Sequence, residues 1–272
     1  MRLSGYQPQY FPRLHYFARI LSSDIFEISD YVQFVKKHAY IKDGNKKRGK
    51  SYQADTPIKS NAGLVYLTVP VSDGDLLPIN KTPIDYTHDW RRKHLKSIEM
   101  AYSKSKNFNL LFPEITSILS SYYKSIGNLN TQTILWGLLR ILGEEKYSSE
   151  TSTIEYINKL LEEKNLFRLK KVCLISETSV SPPHGTRDAN EWLVDMCKYF
   201  DVSEYYFGGT SAAAYMDFAK LKNAHIELVE QNWKCKEYRQ RYSQSQFIPN
   251  LSIIDLLMNA PIDKVHTILS EE

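Results

Sequence analysis

Apolar positions near the start of the chain follow two different periods. Residues 2–6 and 25–28 form short apolar runs of strand type. Between them, apolar residues recur at the spacing of one helix face: Leu14, Phe17, Ile20 and Leu21. The pattern therefore predicts a strand, an amphipathic helix and a second strand.

The middle of the chain is mainly helical in pattern. Residues 64–71 form a β-branched strand that ends at Pro70 and a Ser-Asp-Gly turn. Helix-period apolar residues then run from about Trp90 to Leu142, with expected breaks at Phe112-Pro113 and Gly127-Asn128. We expect several antiparallel helices here, forming a helical subdomain at about 90–165.

The second half returns to alternating strands and helices. Residues 171–176, 204–207 and 225–229 are strand candidates, and residues 188–200 form an amphipathic helix. Strands joined by crossover helices are typical of a parallel sheet with helices on its faces. The pattern predicts an α/β fold with a mostly parallel sheet, a helical insertion in the middle and a single domain over 1–272.

Composition and charge are those of an ordinary globular protein. The chain has 272 residues, 42% hydrophobic residues and a mildly basic net charge of +4. A nucleic-acid partner would need that charge focused on one face or stripe. The one basic cluster runs from Lys36 to Lys50. A solvated loop is the commoner explanation of such a run, and a loop that neutralises an anionic ligand is the alternative.

Cysteine usage and hydropathy suggest a reduced compartment. Cys173, Cys197 and Cys235 are far apart and lack metal-ligand spacing, so neither zinc nor a disulfide framework is expected. The longest apolar stretch, residues 133–143, is too short for a membrane span and contains Arg140. We therefore expect a cytoplasmic protein with no membrane span.

Three loops are candidates for a binding site, because parallel sheets bind ligands at the carboxyl ends of their strands. They run from Gln7 to Pro12, from Ser176 to Arg187 and from Gly208 to Ser211. The last is a glycine turn that opens a helix of small residues, where backbone amides can bind an anion. A tight turn that needs small residues for packing explains it equally well.

Three further features each have two explanations. The segment Trp90–His94 is either a basic helix face or a clamp for phosphate. Asp255 lies among apolar residues, where an internal hydrogen bond is the commoner role for a carboxylate. His15 alone, without a neighbouring H-x-G-H pattern, is weak evidence for phosphate binding.

Six blocks of the chain resemble the WbqC-like family of bacterial polysaccharide and O-antigen gene clusters. The blocks lie at 7–12 (QPQYFP), 23–36 (SDIFEISDYVQFVK), 67–71 (LTVPV), 90–102 (WRRKHLKSIEMAY), 206–209 (YFGG) and 247–259 (FIPNLSIIDLLMN). The chain departs from the family pattern at Arg13, His15 and Ala260 and in a lysine-rich run over 40–48. The departure at His15 removes it as a catalytic candidate.

The resemblance implies surface-sugar biosynthesis, including glycine transfer onto an amino sugar. The leading hypothesis is a transferase that forms an amide between a glycine-like acyl donor and a nucleotide-linked amino sugar. Asp30 is the expected base, with Gln7 and Gln33 as orienting groups. The other expected site residues bind substrate: Tyr10, Lys36, His94, Arg187, Gly208, Gly209, Tyr215, Ser252, Asp255 and Asn259.

The sequence leaves two alternatives to the transferase hypothesis open. One is a nucleotidyl or other group transferase that acts on sugar phosphates, and the other is a non-catalytic sugar-nucleotide binding or scaffold protein. ATP with magnesium is compatible with the leading hypothesis, although no carboxylate cluster marks a metal site. We also expect the N-terminal site groups to meet the block at 247–259 in space.

Overall fold

A parallel β-sheet with helices on its faces forms the centre of the computed structural model, in accordance with the predicted α/β fold class. The structure describes residues 1–37, 39–42, 45–72, 77–180, 188–208, 216–242, 244 and 246–271, and only the backbone of 39–42 and 45–48. The strands are β1 (Arg2–Tyr6), β2 (Ile25–Ile28), β3 (Ala39–Lys42), β4 (Asn45–Arg48), β5 (Asp55–Ser60), β6 (Gly63–Thr68), β7 (Lys171–Leu174), β8 (Glu204–Phe207) and β9 (Glu227–Glu230).

Helices occur along the whole chain, and several follow one another in its middle. They are α1 (Leu14–Leu21), α2 (Trp90–Tyr102), α3 (Phe108–Ser120), α4 (Ile126–Ile141), α5 (Ile154–Lys164), α6 (Ala189–Tyr199), α7 (Phe218–Asn223), α8 (Ile253–Asn259) and α9 (Ile262–Leu269). Short 3-10 turns lie at Ile79–Lys81 and Ile175–Glu177.

Within the described residues, five strands form the parallel sheet in the order β7-β2-β1-β8-β9. The chain moves from β1 through β2 to β7 on one side, then crosses to β8 and β9 on the other. The predicted strands at 2–6, 25–28 and 204–207 are confirmed. The strand predicted at 171–176 ends earlier, at Leu174, and the one predicted at 225–229 begins later, at Glu227.

Two antiparallel hairpins lie outside this sheet. The strand predicted at 64–71 is β6, which pairs with β5 from Ser60↔Gly63 to Asp55↔Thr68. The sequence pattern did not predict β5, because residues 55–60 (DTPIKS) contain one strongly apolar residue, Ile58, and a proline. The other hairpin joins β3 to β4.

The predicted helix breaks in the middle of the chain are wrong. Pro113 lies inside α3, and Gly127 lies in the first turn of α4. The helices instead separate at residues 103–107 and 121–125, where Ser125 caps α4 by accepting from the amide of Asn128. Pro113 is the sixth residue of α3 and lacks the N–H that would bond the carbonyl of Asn109, but the helix continues past it to Ser120.

Apolar clusters cover both faces of the sheet. The larger cluster joins α1 and α4 to residues such as Phe26 of β2, and the second joins α6 and α7 to residues such as Leu3 of β1. Phe17 and Trp136 are fully buried, and burial of each such side chain contributes on the order of 2–3 kcal/mol. These clusters hold the strand ends, and the loops that follow them, in fixed positions.

Cys173, Cys197 and Cys235 are free thiols. In the part of the chain that the structure describes, helices of the length and apolarity needed to cross a membrane are absent.

Candidate functional site

The strand order places a topological switch point between β1 and β8, where doubly wound sheets have a crevice. The connections leave β1 toward one edge of the sheet and leave β8 toward the other, so the loops after these two strands diverge. Doubly wound sheets bind ligands at such a switch point, outside the carboxyl ends of the strands. The loop after β1 begins at Gln7, and the segment after β8 begins at Gly208.

Glu27 of β2 is a buried acid beside this crevice. It is 1% exposed, and its Oε1 accepts a hydrogen bond of 2.7 Å from the Ser29 hydroxyl. Its Oε2 is buried without a hydrogen-bond partner within the described part of the chain. Gly5 is the neighbour of Glu27 in β1, and a Cβ there would lie 1.6 Å from Oε1. The absence of a side chain at Gly5 makes room for the carboxyl group.

The surroundings of Glu27 favour its protonated form. Burial raises the pKa of Glu27 well above its ordinary value, and the negative charge of Asp30 raises it further. The hydrogen bond from Ser29 lowers the pKa but does not cancel these effects. A buried carboxyl with a raised pKa and an oxygen that has no hydrogen-bond partner is suited to exchange a proton with a group bound beside it.

Asp30 follows β2, and each of its two carboxylate oxygens accepts a hydrogen bond. Its Oδ2 accepts from the side-chain amide of Asn80 at 3.2 Å, and its Oδ1 accepts from the backbone amide of Ser176 at 3.0 Å. Ser176 follows β7, so this hydrogen bond connects the carboxyl ends of the neighbouring strands β2 and β7. These bonds fix the orientation of the charge that acts on Glu27.

Arg19 of α1 is a buried cation at the same edge of the sheet. It is 5% exposed, and its Nε and Nη2 each lie 3.0 Å from Oε1 of Gln231, which follows β9. Its guanidinium lies 4.4 Å from the ring centroid of Tyr6. Among the described residues, the partners recorded for Arg19 are neutral. A buried positive charge with neutral partners favours an anionic ligand nearby.

The contact with Arg19 gives Gly208 a packing role. A Cβ on Gly208 would lie 1.7 Å from Nη2 of Arg19. This supports the packing explanation of the glycine turn. The rest of the proposed anion turn, including Gly209, lies outside the described residues.

Gln7 is oriented by a neighbouring glutamine. The side-chain amide of Gln53 donates to Oε1 of Gln7 at 2.7 Å and to the carbonyl of Gln33 at 3.2 Å. Gln53 is fully buried, whereas the side chain of Gln33 is exposed. The structure thus brings Gln7 and the backbone of Gln33 together, although the Gln33 side chain takes no part in this contact.

Tyr10 and His94 form an internal pair. The Tyr10 hydroxyl and Nδ1 of His94 are 3.0 Å apart in a buried hydrogen bond, and the ring of His94 also bonds the backbone of Thr68. Burial lowers the pKa of His94 to about 4, so the ring is neutral at neutral pH. A buried neutral ring does not supply the positive charge that the phosphate-clamp hypothesis requires.

The C-terminal candidates make contacts within the protein. Ser252 donates to the carbonyl of Phe11 at 3.0 Å and caps α8. Asp255 accepts from the hydroxyls of Tyr102 at 2.8 Å and Tyr238 at 2.7 Å. Asn259 donates to the carbonyl of Asp255 at 2.8 Å and closes this network. These bonds favour the structural explanation of all three residues.

The N-terminal segment and the block at 247–259 do meet in space. The amide of Ile253 donates to the carbonyl of Pro12 at 2.8 Å, and the amide of Leu14 donates to the carbonyl of Leu251 at 3.1 Å. The contact is made by Phe11–Leu14 and not by Gln7 or Asp30. It therefore anchors the loop after β1 rather than completing the crevice.

His15 and Lys36 also lie in the described part of the chain. His15 is bonded to Asn250, with Nδ1 3.1 Å from Oδ1, and burial lowers its pKa to about 4. Lys36 is exposed. Arg187 and Tyr215 lie outside the described residues.

The sequence patterns missed Glu27 and Arg19. A charged residue inside the apolar run D-I-F-E-I was the available signal for Glu27, and an arginine beside Ile20 on an apolar helix was the signal for Arg19. Neither signal indicates which groups surround the charge. Groups of three or more potential metal ligands are absent among the residues that the structure describes.

Comparison with known families agrees with the residue blocks noted above. Residues 7–267 match the WbqC-like protein family, which is nearly the whole chain. The chain belongs to the WbqC-like family. The matched span of this WbqC-like chain contains Gln7, Arg19, Glu27, Asp30 and Gly208. Searches of curated proteins and of solved structures gave no match.

The close approach of the Glu27 carboxyl group to Gly5 leads to a double-mutant prediction. Gly5→Ala is expected to destabilise the protein by roughly 1–3 kcal/mol, because the new methyl group would overlap the Glu27 carboxyl. Combined with Glu27→Ala, the same change is expected to cost much less, since the nearest atoms to that methyl group all belong to Glu27. Urea unfolding of the four proteins measures the coupling. Additive costs would contradict this geometry.

Proposed function

We propose that this protein is a group transferase of surface-polysaccharide biosynthesis, with its reaction centre at the crevice between β1 and β8. Membership of the WbqC-like family supports a role in polysaccharide biosynthesis. The observation that carries the proposal is Glu27, a buried carboxyl with a raised pKa and a buried oxygen without a recorded partner. Transfer to a weakly acidic nucleophile needs a proton acceptor of this kind.

The proposed reaction forms an amide. The acceptor is the amine of a nucleotide-linked amino sugar, and the donor is an activated aminoacyl ester, thioester or phosphate, with glycine as the leading acyl group. The amine nitrogen forms a bond to the acyl carbon, and the bond from that carbon to the leaving group breaks. Glu27 accepts the proton that the amine loses when it is in its carboxylate form, which the raised pKa makes a stronger base than an ordinary glutamate. The leaving group departs with its electron pair.

Other residues of the crevice take supporting roles in this proposal. Asp30 was the expected base, but both of its oxygens already accept hydrogen bonds, so we assign it to tuning the pKa of Glu27. Arg19 supplies positive charge for the anionic part of the substrate. Gln7, held by Gln53, orients the acceptor.

A mass-spectrometric assay tests the proposed reaction. The protein is incubated with a panel of nucleotide-linked amino sugars and isotopically labelled glycine, supplied either with ATP and magnesium or as a preformed thioester. The expected product is a nucleotide sugar heavier by one labelled glycyl group. Reactions without protein and reactions with Glu27→Gln serve as controls.

Other outcomes of this assay support other functions. Exchange of labelled pyrophosphate into ATP without glycine supports nucleotidyl transfer. Tight binding of a nucleotide sugar without turnover under any donor condition contradicts both transferase hypotheses and supports a binding protein.

A further inference from the structure

A groove in the helical part of the chain lies apart from the crevice. It is walled by α3, the residues at the end of α4, α8 and α9, and it encloses about 530 Å³. This volume is in the range of small-molecule binding sites. None of its lining residues belongs to β1, β8 or the loops that follow them. The groove is therefore a second candidate for a ligand site.

Hydrogen bonds between the helices hold the walls of this groove in place. Asn107, just before α3, donates from Nδ2 to the carbonyls of Leu257 at 2.7 Å and Ala260 at 3.0 Å. On the other side, Nε2 of His266 in α9 lies 2.7 Å from the carbonyl oxygen of Ile141, the last residue of α4. These contacts fix four helices relative to one another, so the groove is preformed, as is usual for ligand sites.

The sides of the groove are apolar. Leu111, Leu257 and Val265 are buried along it, whereas Leu110 is 56% exposed and Ile262 is 43% exposed. Single exposed apolar side chains are common on protein surfaces, but two on different walls of one groove extend its apolar lining to the rim. A ligand that lies along these walls therefore has an aliphatic body.

Arg140 lines the same groove as a buried cation. It is 7% exposed, and its Nη2 is buried without a hydrogen-bond partner among the described residues. Its Nε lies 3.4 Å from Oε2 of Glu114, an oxygen that already accepts from Nε1 of Trp136 at 2.9 Å. Burial also raises the pKa of Glu114, which favours the neutral form of that carboxyl. A buried guanidinium with such partial compensation favours an anionic group on the ligand.

Two acids line the groove as well, but they do not cancel this preference. Both carboxylate oxygens of Glu144 accept hydrogen bonds, one from the Tyr156 hydroxyl at 3.1 Å and one from the amide of Lys146 at 3.0 Å. Glu145 is exposed, where solvent screens its charge, and the exposed Lys106 adds a positive charge to the lining. The preference for an anion therefore comes from the buried cation.

We propose that this groove binds an aliphatic carboxylate, with the carboxylate at Arg140 and the chain along the apolar side chains of α3, α8 and α9. Arginine recognises carboxylates through charge-assisted hydrogen bonds, and removing an aliphatic chain from water favours its burial against the apolar walls. The inference goes beyond the proposed transfer reaction, because it gives the helical part of the chain a ligand of its own.

Isothermal titration calorimetry with three probes tests the ligand class. Octanoate, used below its micelle concentration, carries both the charge and the chain, octanol carries the chain alone, and acetate carries the charge alone. We expect octanoate to bind roughly tenfold or more tightly than either of the others, a difference of about 1.4 kcal/mol or more. Equal binding of octanol and octanoate would overturn the inference, because Arg140 would then take no part.

Leu110→Asp tests the position of the site. It removes an apolar side chain and adds a negative charge at an exposed rim position, so the fold is expected to persist. The matched control is Leu166→Asp, which makes the same change at a residue that is 51% exposed and lies outside the groove. We expect Leu110→Asp to bind octanoate roughly tenfold more weakly, and the control to bind it as the wild type does.

Arg140→Gln tests the carboxylate contact. The variant is expected to lose the preference for octanoate over octanol, because its side chain keeps hydrogen-bond donors but no charge. Circular dichroism checks that this buried substitution leaves the protein folded. The comparison of Leu110→Asp with Leu166→Asp tests the groove without depending on the Arg140 variant.

Three results would contradict the proposed site. They are undetectable binding of octanoate to the wild type, equal affinity of Leu110→Asp and the wild type, and a wild-type dimer in sedimentation equilibrium that Leu110→Asp dissociates while octanoate does not bind. The last result would assign the groove to a second copy of the chain. The transfer assay does not enter this test, since it depends on Glu27 and not on the groove.

Discussion

Replacing Glu27 with glutamine is expected to lower the turnover number by a factor of roughly 10² to 10⁴, the range typical of a lost general base. Glutamine has nearly the same shape and keeps an acceptor for Ser29, so the fold is expected to persist. The amide does not accept the proton that the nucleophile loses. Turnover is measured with the mass-spectrometric transfer assay.

Glu114→Gln is the matched control for this prediction. Glu114 is also buried with a raised pKa, but it accepts from Nε1 of Trp136 at 2.9 Å and lies 3.4 Å from Nε of Arg140, in the helical part of the chain. Its replacement is expected to leave turnover near the wild-type value. A Glu27→Gln protein with wild-type turnover, or equal losses in both variants, would remove Glu27 as the base.

The raised pKa of Glu27 also predicts a pH dependence that does not require substrate. The pKa of Glu27 is higher in the folded than in the unfolded chain. The contribution of Glu27 to stability is fully present below its unfolded pKa of about 4.3, and it is lost as the pH rises through its folded pKa. Glu27→Gln stays neutral at every pH. The variant is therefore expected to melt at a higher temperature than the wild type at about pH 8, with the difference vanishing below about pH 4.

Replacing Asp255 with alanine is expected to reduce the free energy of unfolding by about 2–4 kcal/mol, because each buried hydroxyl left without its acceptor costs on the order of 1–3 kcal/mol. The two hydroxyls belong to Tyr102, which is fully buried, and to Tyr238. Urea unfolding followed by circular dichroism measures the loss.

Asp255→Asn separates structure from catalysis at this position. Its amide keeps a side-chain oxygen as an acceptor and can donate to a tyrosine oxygen, so we expect a smaller loss of stability and turnover close to that of the wild type. Turnover lost in a stable Asp255→Asn protein would support the predicted substrate-binding role of Asp255.

The strands and helices at both ends of the chain were predictable because their signals are local. Strand β2 and helix α1 each have an apolar pattern of the right period, and the structure has them at the predicted positions. Strand β5 and the true breaks between the middle helices were missed. Pro113 lies inside α3 without ending it, and Lys59 of β5 is buried by tertiary contacts that a local pattern does not encode.

The candidate site depended on contacts that a pattern does not encode. Gln7 and Asp30 stood out as polar residues at strand ends, where a parallel sheet presents its loops. Glu27 and Arg19 lie inside regular elements. Their chemistry comes from Gly5, Gly208 and Gln231, which are close to them only in the folded chain.

Composition, period and residue blocks are properties of the linear chain, so the α/β class, most of the sheet strands, the family and the basic segment at 36–50 could be read from the sequence. Tertiary contacts were needed to show that β1 and β8 flank the switch point and that Glu27 is buried with an unbonded oxygen. They were likewise needed to show that Gln53 joins Gln7 to the backbone of Gln33. The reason is that strand order, desolvation and hydrogen bonding arise between residues far apart in sequence, and these set the charge and the reactivity of a side chain.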